Sequence, residues 1–390
     1  MSDSIMPTYA RLPVCFERGE GSWLWDSEGK QYFDAISGIA VCSLGHAHPQ
    51  VAKAISEQAG RLLHTSNLYG IPAQQRLADK LVSLSGMQQV FFSNSGAEAN
   101  EAAIKIARRY GHKKGIDKPA IIVASNSFHG RTMATLSATG NPKVQEGFTP
   151  LTEGFVRVPY DDIDAISAVA ASNPNVVAVL IEPVQGEGGV NIPAADYLDK
   201  LREICDQHQW LMMLDEIQTG MCRTGKWFAF QHSDIIPDVM TLAKALGNGV
   251  PIGACLTNGR ATGLMGAGSH ASTFGGNPLV CQAALAVINV MKQTNAAQQA
   301  EQSSQRIVDA FRAEFDTTAG VVEIRHHGMM IGIQLERPCI ELVKQALAQG
   351  LLINVTAGNV IRLLPVLLLS DSEIDQLVTR VSTLVKSFLS

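Results

Sequence analysis

The sequence lacks a long hydrophobic run and a strong charge of either sign. Its longest apolar stretches, 176–181 and 363–369, are strand-sized, whereas a membrane-spanning helix needs ~18 or more apolar residues. The formal net charge is −5 over 390 residues, so we expect no basic field that would attract nucleic acid or anionic lipid. The sequence therefore predicts a protein that acts on neither membranes nor nucleic acids.

The sequence also lacks any Cys-x-x-Cys pair and any recognisable leader. Its cysteines are Cys15, Cys42, Cys205, Cys222, Cys255, Cys281 and Cys339. Seven scattered cysteines favour reduced, mostly buried thiols over disulfides or a zinc site, and we expect no bound metal. Residues 1–4 contain no basic region followed by an apolar run, which predicts no secretory or transit signal and a cytoplasmic location.

Apolar runs alternate with helical patterns through the middle of the chain. The runs are 90–92, 120–124, 176–181 and 211–214. This alternation is typical of a mainly parallel α/β sheet. Ligands of such sheets bind beyond the carboxyl ends of the strands, so the residues that follow each run are the first candidates for chemistry.

The pattern changes near Asn277. A long helical stretch runs through Phe315, short strands follow around Ile331 and Ile353, and an amphipathic helix begins after Ser372. We expect a separate C-terminal α/β domain here. The predicted organisation is an N-terminal segment, 1–50, that packs with the small domain, a large ligand-binding domain, 51–276, and the small C-terminal domain, 277–390.

The segment 94–100 follows a strand and opens a helix. Ser95 and Glu98 have the spacing of a capping box. Gly96 lets backbone N–H groups approach an anion, and the helix dipole favours a phosphate at this end. Taken alone, the same pattern also fits a plain helix cap.

A carboxylate and an amine occupy two other apolar settings. Asp215 ends the apolar run 210–214, where a buried carboxylate needs a partner such as a pyridinium nitrogen. A structural cap on the next turn is the alternative. Lys244 lies within the apolar, glycine-terminated segment 241–249, a setting that lowers the pKa of an amine enough for imine chemistry. A solvated surface lysine is the alternative.

Two further segments, 127–132 and 272–278, carry weak signals when taken singly. Phe128 fits a core position and Arg131 a surface charge, and the second segment fits a glycine-rich turn. Their value lies in their order along the chain relative to the other segments.

Together these segments resemble the class III aminotransferases, which are pyridoxal-phosphate-dependent enzymes of fold type I. The resemblance covers almost the whole chain. The matching segments are 17–21, 44–49, 94–100, 128–132, 182–189, 215–220, 223–225, 241–247 and 272–278. It implies a large cofactor-binding domain with a mainly parallel seven-stranded sheet, a smaller α/β C-terminal domain, and a homodimer with a shared active site.

The resemblance also assigns cofactor roles. Lys244 is expected to hold pyridoxal 5'-phosphate covalently and to move the reacting proton, while Asp215 pairs with the pyridine nitrogen. The remaining expected cofactor contacts are Ser95, Gly96 and Ala97 at the phosphate, Thr273 from the second subunit, Phe128 against the ring and Gln218 near its phenolic oxygen.

The implied reaction uses two amines with different charge patterns, N2-acetylornithine and glutamate, with 2-oxoglutarate as acceptor. Arg131 is expected to bind the distal carboxylate of both, and Arg362 the α-carboxylate of glutamate alone. Glu187 is expected to neutralise Arg362 when the ω-amine is bound, because an unpaired buried charge is costly. Ser272 completes the expected substrate contacts.

Several alternatives remain open within and outside this family. Ornithine, succinylornithine, succinyldiaminopimelate or GABA can replace acetylornithine as donor on the same scaffold, as can aminomutase or decarboxylase chemistry. A non-catalytic cofactor-binding regulator is the alternative of another class, although it should carry a DNA-binding module and a basic patch. The sequence departs from the family pattern at Cys42, Cys222, His326 and the run 364–366, which affects the expected acyl pocket and the local backbone.

Overall fold

A computed structural model of the chain describes residues 4–390. The expectation that no leader is present depends in part on residues 1–3, which lie outside the described residues. Within residues 4–390, no helix is both long and apolar enough to cross a membrane.

The N-terminal strands form an antiparallel meander. The first elements are β1 (Phe16–Glu20), β2 (Trp23–Asp26), β3 (Gln31–Asp34), α1 (Ser37–Ala40) and α2 (Pro49–Ala59). The tight turn between β2 and β3 forms because the Asp26 carboxylate accepts the N–H groups of Glu28 and Lys30. In α1 the four φ angles are 43°, 65°, 68° and 58°, so this single turn has the left-handed geometry that L-residues disfavour.

The middle of the chain builds one seven-stranded sheet. Its elements are α3 (Pro72–Ser85), β4 (Gln89–Ser93), α4 (Gly96–Lys113), β5 (Ala120–Ala124), α5 (Met133–Ala138), β6 (Phe155–Val158), α6 (Ile163–Ser172), β7 (Val176–Ile181), α7 (Tyr197–Gln207), β8 (Leu211–Asp215), β9 (Val239–Leu242) and β10 (Gly253–Thr257). The strand order is β4-β10-β9-β8-β7-β5-β6, and β10 runs in the direction opposite to the other six strands. The predicted mainly parallel sheet is confirmed.

Burial explains why these strands read as continuous apolar runs. Every residue of β5, β7, β8 and β9 is buried, because helices cover both faces of a parallel sheet. The polar residues after β4, β5, β7, β8 and β9 therefore meet at one edge of the sheet, where the strands have their carboxyl ends. The candidate site lies at this edge.

The C-terminal part forms a second α/β unit. Its elements are α8 (Pro278–Gln293), α9 (Ala296–Phe315), β11 (Val321–His327), β12 (Met330–Leu335), α10 (Leu342–Ala348), β13 (Leu351–Leu352), β14 (Asn354–Thr356), β15 (Val360–Leu363) and α11 (Asp371–Leu389). The expected long helix from Asn277 to Phe315 is wrong as a single element, because Asn295 adopts a left-handed φ of 50° between α8 and α9. The small sheet has the order β11-β12-β15-β14, and the sequence did not predict β11 or β15.

The N-terminal strands and a strand of the C-terminal unit share one sheet. β13 pairs in parallel with β3, with Leu351 opposite Phe33, and α8 packs against α2 and α3. The boundaries predicted at residues 50 and 276 stay a prediction.

Candidate active site

A cavity of about 410 Å³ opens at the carboxyl edge of the large sheet. It brings together nine residues that the sequence singled out: Ser95, Gly96, Ala97, Phe128, Arg131, Glu187, Asp215, Gln218 and Lys244. Three other predicted site residues, Ser272, Thr273 and Arg362, do not line this cavity. Arg362 binds Glu187, which does line the cavity. Ser272 and Thr273 line a neighbouring cavity.

A hydrogen-bonded network forms the floor of the cavity around Asp215. The Asp215 side chain is 4% exposed. Its Oδ2 accepts the Asn100 amide at 2.7 Å and lies 2.8 Å from His129 Nδ1, and its Oδ1 accepts the Ile217 N–H at 3.1 Å. Thr241 in turn donates to Asn100 Oδ1 at 2.7 Å. The carboxylate is thus fixed in place by its own chain.

The sequence reasoning did not identify Asn100 and His129 as functional residues. Each lies in a segment that was singled out, and each is a polar residue that the structure buries. A polar side chain within a segment already singled out was the signal that the sequence offered. His129 Nε2 is also buried and finds no hydrogen-bond partner among the described residues, so this nitrogen can still form one hydrogen bond.

Glu182 is a third functional candidate that the sequence reasoning missed. It directly follows β7, lines the cavity, and accepts the N–H groups of Phe128 at 3.1 Å and Gly186 at 3.3 Å. Burial raises the pKa of Glu182 to about 7, although the neighbouring His129 opposes that shift. The carboxyl can therefore exchange a proton near neutral pH.

The N-terminus of α4 forms one end of the cavity. Ser95 Oγ accepts the Glu98 N–H at 3.2 Å, but the expected reciprocal half of the capping box is wrong, since the Glu98 carboxylate binds Asn94 instead. A Cβ at Gly96 would lie 2.7 Å from Ile217 Cδ1, so a larger residue there would force the Ile217 side chain to shift. The first-turn N–H groups of Gly96 and Ala97 have no partner within the helix and are available to an anion.

Lys244 lies two residues after the end of β9, in a 3-10 turn at Lys244–Leu246. Its φ of 44° is uncommon for a side chain of this size, and such strain persists where the surroundings impose it. Burial lowers the pKa of the Lys244 amine, and the positive charge of Arg362 adds to this effect. Both features agree with the expectation of a reactive amine.

A buried ion pair closes one side of the cavity. The Arg362 side chain is fully buried on β15, whereas that of Glu187 is 38% exposed. Arg362 Nη1 lies 2.7 Å from Glu187 Oε1 and 3.4 Å from Gln218 Oε1, and Nη2 donates to Asn354 Oδ1 at 2.8 Å. The pair therefore joins a fixed cation to a carboxylate that has room to move.

Arg131 and the segment 272–273 lie on the open side of the site. Arg131 is exposed, with its guanidinium carbon 5.8 Å from the centre of the Phe128 ring. Ser272 Oγ accepts the side-chain amide of Asn94 at 3.1 Å. Ser272 and Thr273 line a separate cavity of about 500 Å³, so one chain alone does not bring them to Lys244.

Two of the departures from the family pattern have visible structural correlates. Cys222 is buried with a left-handed φ of 69°, a conformation that glycine adopts at no steric cost. Cys42 Sγ lies 3.8 Å from the position that a Cβ would take at Gly249, which lines the cavity. His326 is half-buried on β11, and nothing in the structure explains this departure from the family pattern.

The donor set fits a phosphorylated pyridine. The helix N-terminus at Gly96 and Ala97 suits a phosphate, the fixed carboxylate of Asp215 suits a protonated ring nitrogen, and Lys244 offers a buried amine. The Phe128 side chain supplies an aromatic surface in the same cavity. The arrangement can hold a flat charged ring with its reactive position near an amine.

Comparisons with known proteins agree with this geometry. The family model described as aminotransferase class-III matches residues 5–385. An acetylornithine aminotransferase of Nitrosomonas europaea is 58% identical over 385 residues, which cover 99% of this chain and 98% of that protein. Among solved structures, an ornithine aminotransferase of Toxoplasma gondii has a TM-score of 0.95 at 34% identity, with 99% and 93% of the two chains covered. An acetylornithine aminotransferase of Elizabethkingia anophelis has a TM-score of 0.87 at 34% identity, with 98% and 96% covered.

Proposed function

The chain belongs to the class III aminotransferases, and on that premise we propose that it transfers the δ-amino group of N2-acetylornithine to 2-oxoglutarate. The products are N-acetylglutamate 5-semialdehyde and glutamate, a step of arginine biosynthesis. The chain is a pyridoxal-phosphate-dependent enzyme of fold type I. The observation that carries the choice of substrates is the ion pair between the buried Arg362 and the partly exposed Glu187.

The two amino donors impose opposite demands on Arg362. Glutamate presents an α-carboxylate beside its reacting amine, and this group can displace Glu187 from the guanidinium as a bidentate partner. The acetylornithine δ-amine has only methylenes at that place, so Glu187 stays on Arg362 and neutralises it. Without Glu187, the second substrate would leave a buried charge unpaired, which is strongly unfavourable.

Arg131 serves both substrates at the other end of the pocket. Each donor carries a carboxylate remote from its reacting amine, and the exposed Arg131 guanidinium lies above the Phe128 ring at the open side of the cavity. A planar guanidinium binds a carboxylate through two parallel hydrogen bonds. We expect Ser272 to add a hydroxyl contact from the neighbouring loop.

The remaining cavity residues act on the cofactor. Bound pyridoxal phosphate supplies an electron sink that stabilises the carbanion left by proton removal. Asp215 keeps the ring nitrogen protonated, and the N–H groups of Gly96 and Ala97, with Ser95, bind the phosphate. The Lys244 amine, whose pKa is lowered by burial, would hold the cofactor and would take up and return the proton of the substrate carbon.

Two further contacts orient the ring within the cavity. Phe128 would pack against the face of the ring, and the Gln218 amide would approach its phenolic oxygen. Gln218 is 8% exposed and also contacts Arg362, so it links the cofactor to the carboxylate-binding side of the pocket.

The same proposal includes a homodimer in which Thr273 serves the partner's site. Asn67 donates to the carbonyls of Ser272 and Gly275 at 3.0 Å, which joins the segment 66–69 to the Thr273 loop. Large apolar side chains on these segments stay exposed, with Leu68 at 85% and Phe274 at 60%. An exposed apolar patch beside an incomplete site favours an interface with a second copy.

Mixed dimers test the shared site. Lys244→Ala and Thr273→Ala subunits are unfolded together and refolded as a mixture. If Thr273 acts across the interface, one site of each mixed dimer regains both wild-type residues, and the activity of the mixture exceeds that of Thr273→Ala alone. Activity equal to the average of the two separate variants would show that each site uses only its own Thr273.

We also propose a cytoplasmic location and the three-part division at residues 50 and 276. Biosynthetic relatives of this chain support the first. The separate sheet of β11, β12, β15 and β14 and the pairing of β3 with β13 support the second. Fractionation of cells and limited proteolysis of the purified protein test them in turn.

Absorbance spectroscopy tests the reaction. The purified enzyme is mixed separately with N2-acetylornithine, ornithine, GABA and glutamate, and the cofactor band is followed in single turnovers. We expect the largest kcat/KM for acetylornithine among the ω-amines and no conversion by Lys244→Ala. A preference for another ω-amine assigns the chain to that branch, and a band that responds to no amine supports a non-catalytic role.

A further inference from the structure

The C-terminal sheet places two arginines side by side. Arg325 of β11 is paired with Gly332 of β12, and Gly332 is paired in turn with Arg362 of β15. Directly paired residues of antiparallel strands project their side chains from the same face of the sheet. Arg325 and Arg362 therefore stand on either side of a residue that has no side chain.

Both arginines bind the loop 186–190, but in different ways. Arg362 holds the Glu187 carboxylate at 2.7 Å. Arg325 holds the backbone: its Nε lies 3.1 Å from the Gly189 oxygen and 2.9 Å from the Val190 oxygen, and its Nη2 lies 2.6 Å from the Gly189 oxygen. Arg362 thus binds a side chain that can move away, whereas Arg325 binds backbone carbonyl groups that stay in place.

Gly332 makes room for the loop between the two arginines. A Cβ at Gly332 would lie 3.1 Å from Val190 Cβ, closer than side chains normally approach. Val190 is fully buried with a φ of 55°, which is a rare conformation for a β-branched residue. Such a backbone persists only where its surroundings over-determine it. The Arg325 bonds and the Gly332 contact add to the backbone pairing of Gln185 with Asn191 in supplying that constraint.

The Arg325 side chain is itself held by its own sheet. It is 13% exposed, and its Nη1 lies 2.6 Å from both Gln334 Oε1 and Glu323 Oε2. These contacts fix the orientation of the guanidinium and balance its charge without any help from Glu187. Movement of Glu187 therefore leaves the Arg325 contacts unchanged.

We propose that Arg325 is a positioning residue for substrate selection, because it fixes the backbone of loop 186–190 while the Glu187 side chain leaves and rejoins Arg362. This inference rests on the proposed function and adds the part of the machinery that keeps the exchange reversible. With a loose loop, Glu187 has no single place to return to. Arg362 then stays unpaired when an ω-amine is bound, and glutamate, which supplies its own carboxylate, is much less affected.

Single-turnover kinetics of Arg325→Met provide the first test. We expect kcat/KM for acetylornithine to fall about tenfold, as is typical for coupled neighbouring residues, and kcat/KM for glutamate to change by less than about twofold. Arg325→Lys, which keeps the charge but loses the fork, should recover part of the loss. The matched control is Arg337→Met, since Arg337 also binds a backbone carbonyl, that of Phe388, but contacts no part of the loop.

Two further variants show whether Arg325 acts through Glu187. In a Glu187→Gln background, Arg325→Met should no longer change the ratio of the two kcat/KM values. Gly332→Ala, which presses a methyl group against Val190 and removes no charge, should shift the ratio in the same direction as Arg325→Met. Equal losses for both donors in Arg325→Met, or additive losses with Glu187→Gln, would overturn the proposal.

Amide hydrogen exchange measures the loop directly. The backbone nitrogens of Gly189 and Val190 each lie 3.3 Å from the Gly186 oxygen, and the exchange of these N–H groups is followed in the holoenzyme without substrate. We expect them to exchange faster in Arg325→Met and at the wild-type rate in Arg337→Met. Unchanged exchange in Arg325→Met would overturn the proposal. Fast exchange in the variant, combined with a wild type that accepts no ω-amine, would instead count against the proposed function.

Discussion

The cavity has two halves that are built differently. We propose that the half around Asp215 and Lys244 binds the cofactor, and we call it the cofactor half. The half around Arg362, Glu187 and Arg131 is the proposed substrate half. On the cofactor half, Asp215 is 4% exposed, and three groups of its own chain fix both carboxylate oxygens. On the substrate half, the buried Arg362 is paired with a Glu187 side chain that is 38% exposed, and Arg131 is exposed. The Asp215 carboxylate is fixed by its own chain before a ligand binds, whereas the partner of Arg362 is a partly exposed carboxylate that a substrate can replace.

The difference matches what each half has to bind. The same cofactor serves every turnover, and fixed dipoles and charges stabilise it without a cost of reorganisation. Two alternating substrates with unlike charge patterns need a partner for Arg362 that can be replaced. Substitutions on the cofactor half should therefore impair both half-reactions equally, and substitutions on the substrate half should separate them.

The strongest test of the cofactor half is Lys244→Ala. It removes the one amine that lines the cavity among residues 4–390, so both half-reactions should fall by at least about 10⁴-fold. Stopped-flow absorbance with acetylornithine and with glutamate measures this, and Lys200→Ala on the surface is the control. Turnover that survives with only one donor would break the comparison.

Asp215→Asn should have the next largest effect. The amide keeps the shape of the side chain but removes the charge that pairs with the ring nitrogen, so kcat/KM should fall about a hundredfold for both donors. A fluorescence titration of the apoprotein should also show weaker cofactor binding. A loss confined to one donor would mean that Asp215 belongs to the substrate half.

Glu187→Ala tests the substrate half. Arg362 loses its partner only when the bound donor lacks an α-carboxylate beside the reacting amine, so kcat/KM for acetylornithine should fall about ten- to a hundredfold. The α-carboxylate of glutamate no longer competes with Glu187 for Arg362, so kcat/KM for glutamate should stay within about threefold of wild type. Steady-state kinetics with each donor check this, and equal losses would remove the exchange of partners.

The smallest effect concerns pH and the stability of the apoprotein. Burial raises the pKa of Glu182 from its ordinary value of 4.5 to about 7. The folded state then binds this proton more tightly than the unfolded chain, so the contribution to stability is full below pH 4.5 and is lost as the pH rises through about 7. In the wild type, this group should lower the free energy of unfolding by on the order of 1–2 kcal/mol between about pH 5 and 8. Glu182→Gln should abolish that decrease.

Thermal unfolding at matched scan rates measures this slope. Glu216→Gln is the comparison variant, because burial also raises the pKa of Glu216 to about 7 while this side chain lies outside the cavity lining. Both variants should flatten the fall in Tm with pH. A slope unchanged in Glu182→Gln would show that Glu182 does not hold a proton in the folded apoprotein.

Much of the site could be predicted because strand ends obey a simple rule. Segments that follow parallel strands must meet at one edge of the sheet, so Gly96, Phe128 and Asp215 could be placed together from the alternation of apolar runs alone, whereas Lys244 was placed with them by the resemblance. The resemblance supplied their chemistry. The same rule applies to Glu182 after β7, which was overlooked because its segment was read only for Glu187.

Other features depend on contacts that no local pattern contains. Asn100 and His129 converge on Asp215 from different segments, and only the folded chain shows that they meet. The break at Asn295 depends on one left-handed residue in an otherwise helical sequence. The proposed role of Thr273 involves a second copy of the chain, so one folded chain does not determine it.

The pairing of β3 with β13 has a consequence for biosynthesis. Phe33 and Leu351 are 318 positions apart along the chain, and a ribosome adds roughly 5–20 residues per second. The nascent N-terminal strands therefore wait about 15–60 s for their partner. During that time Phe33, which is fully buried in the finished protein, has to be shielded by its own meander or by a chaperone, so the first part of the enzyme to be made is among the last to be completed.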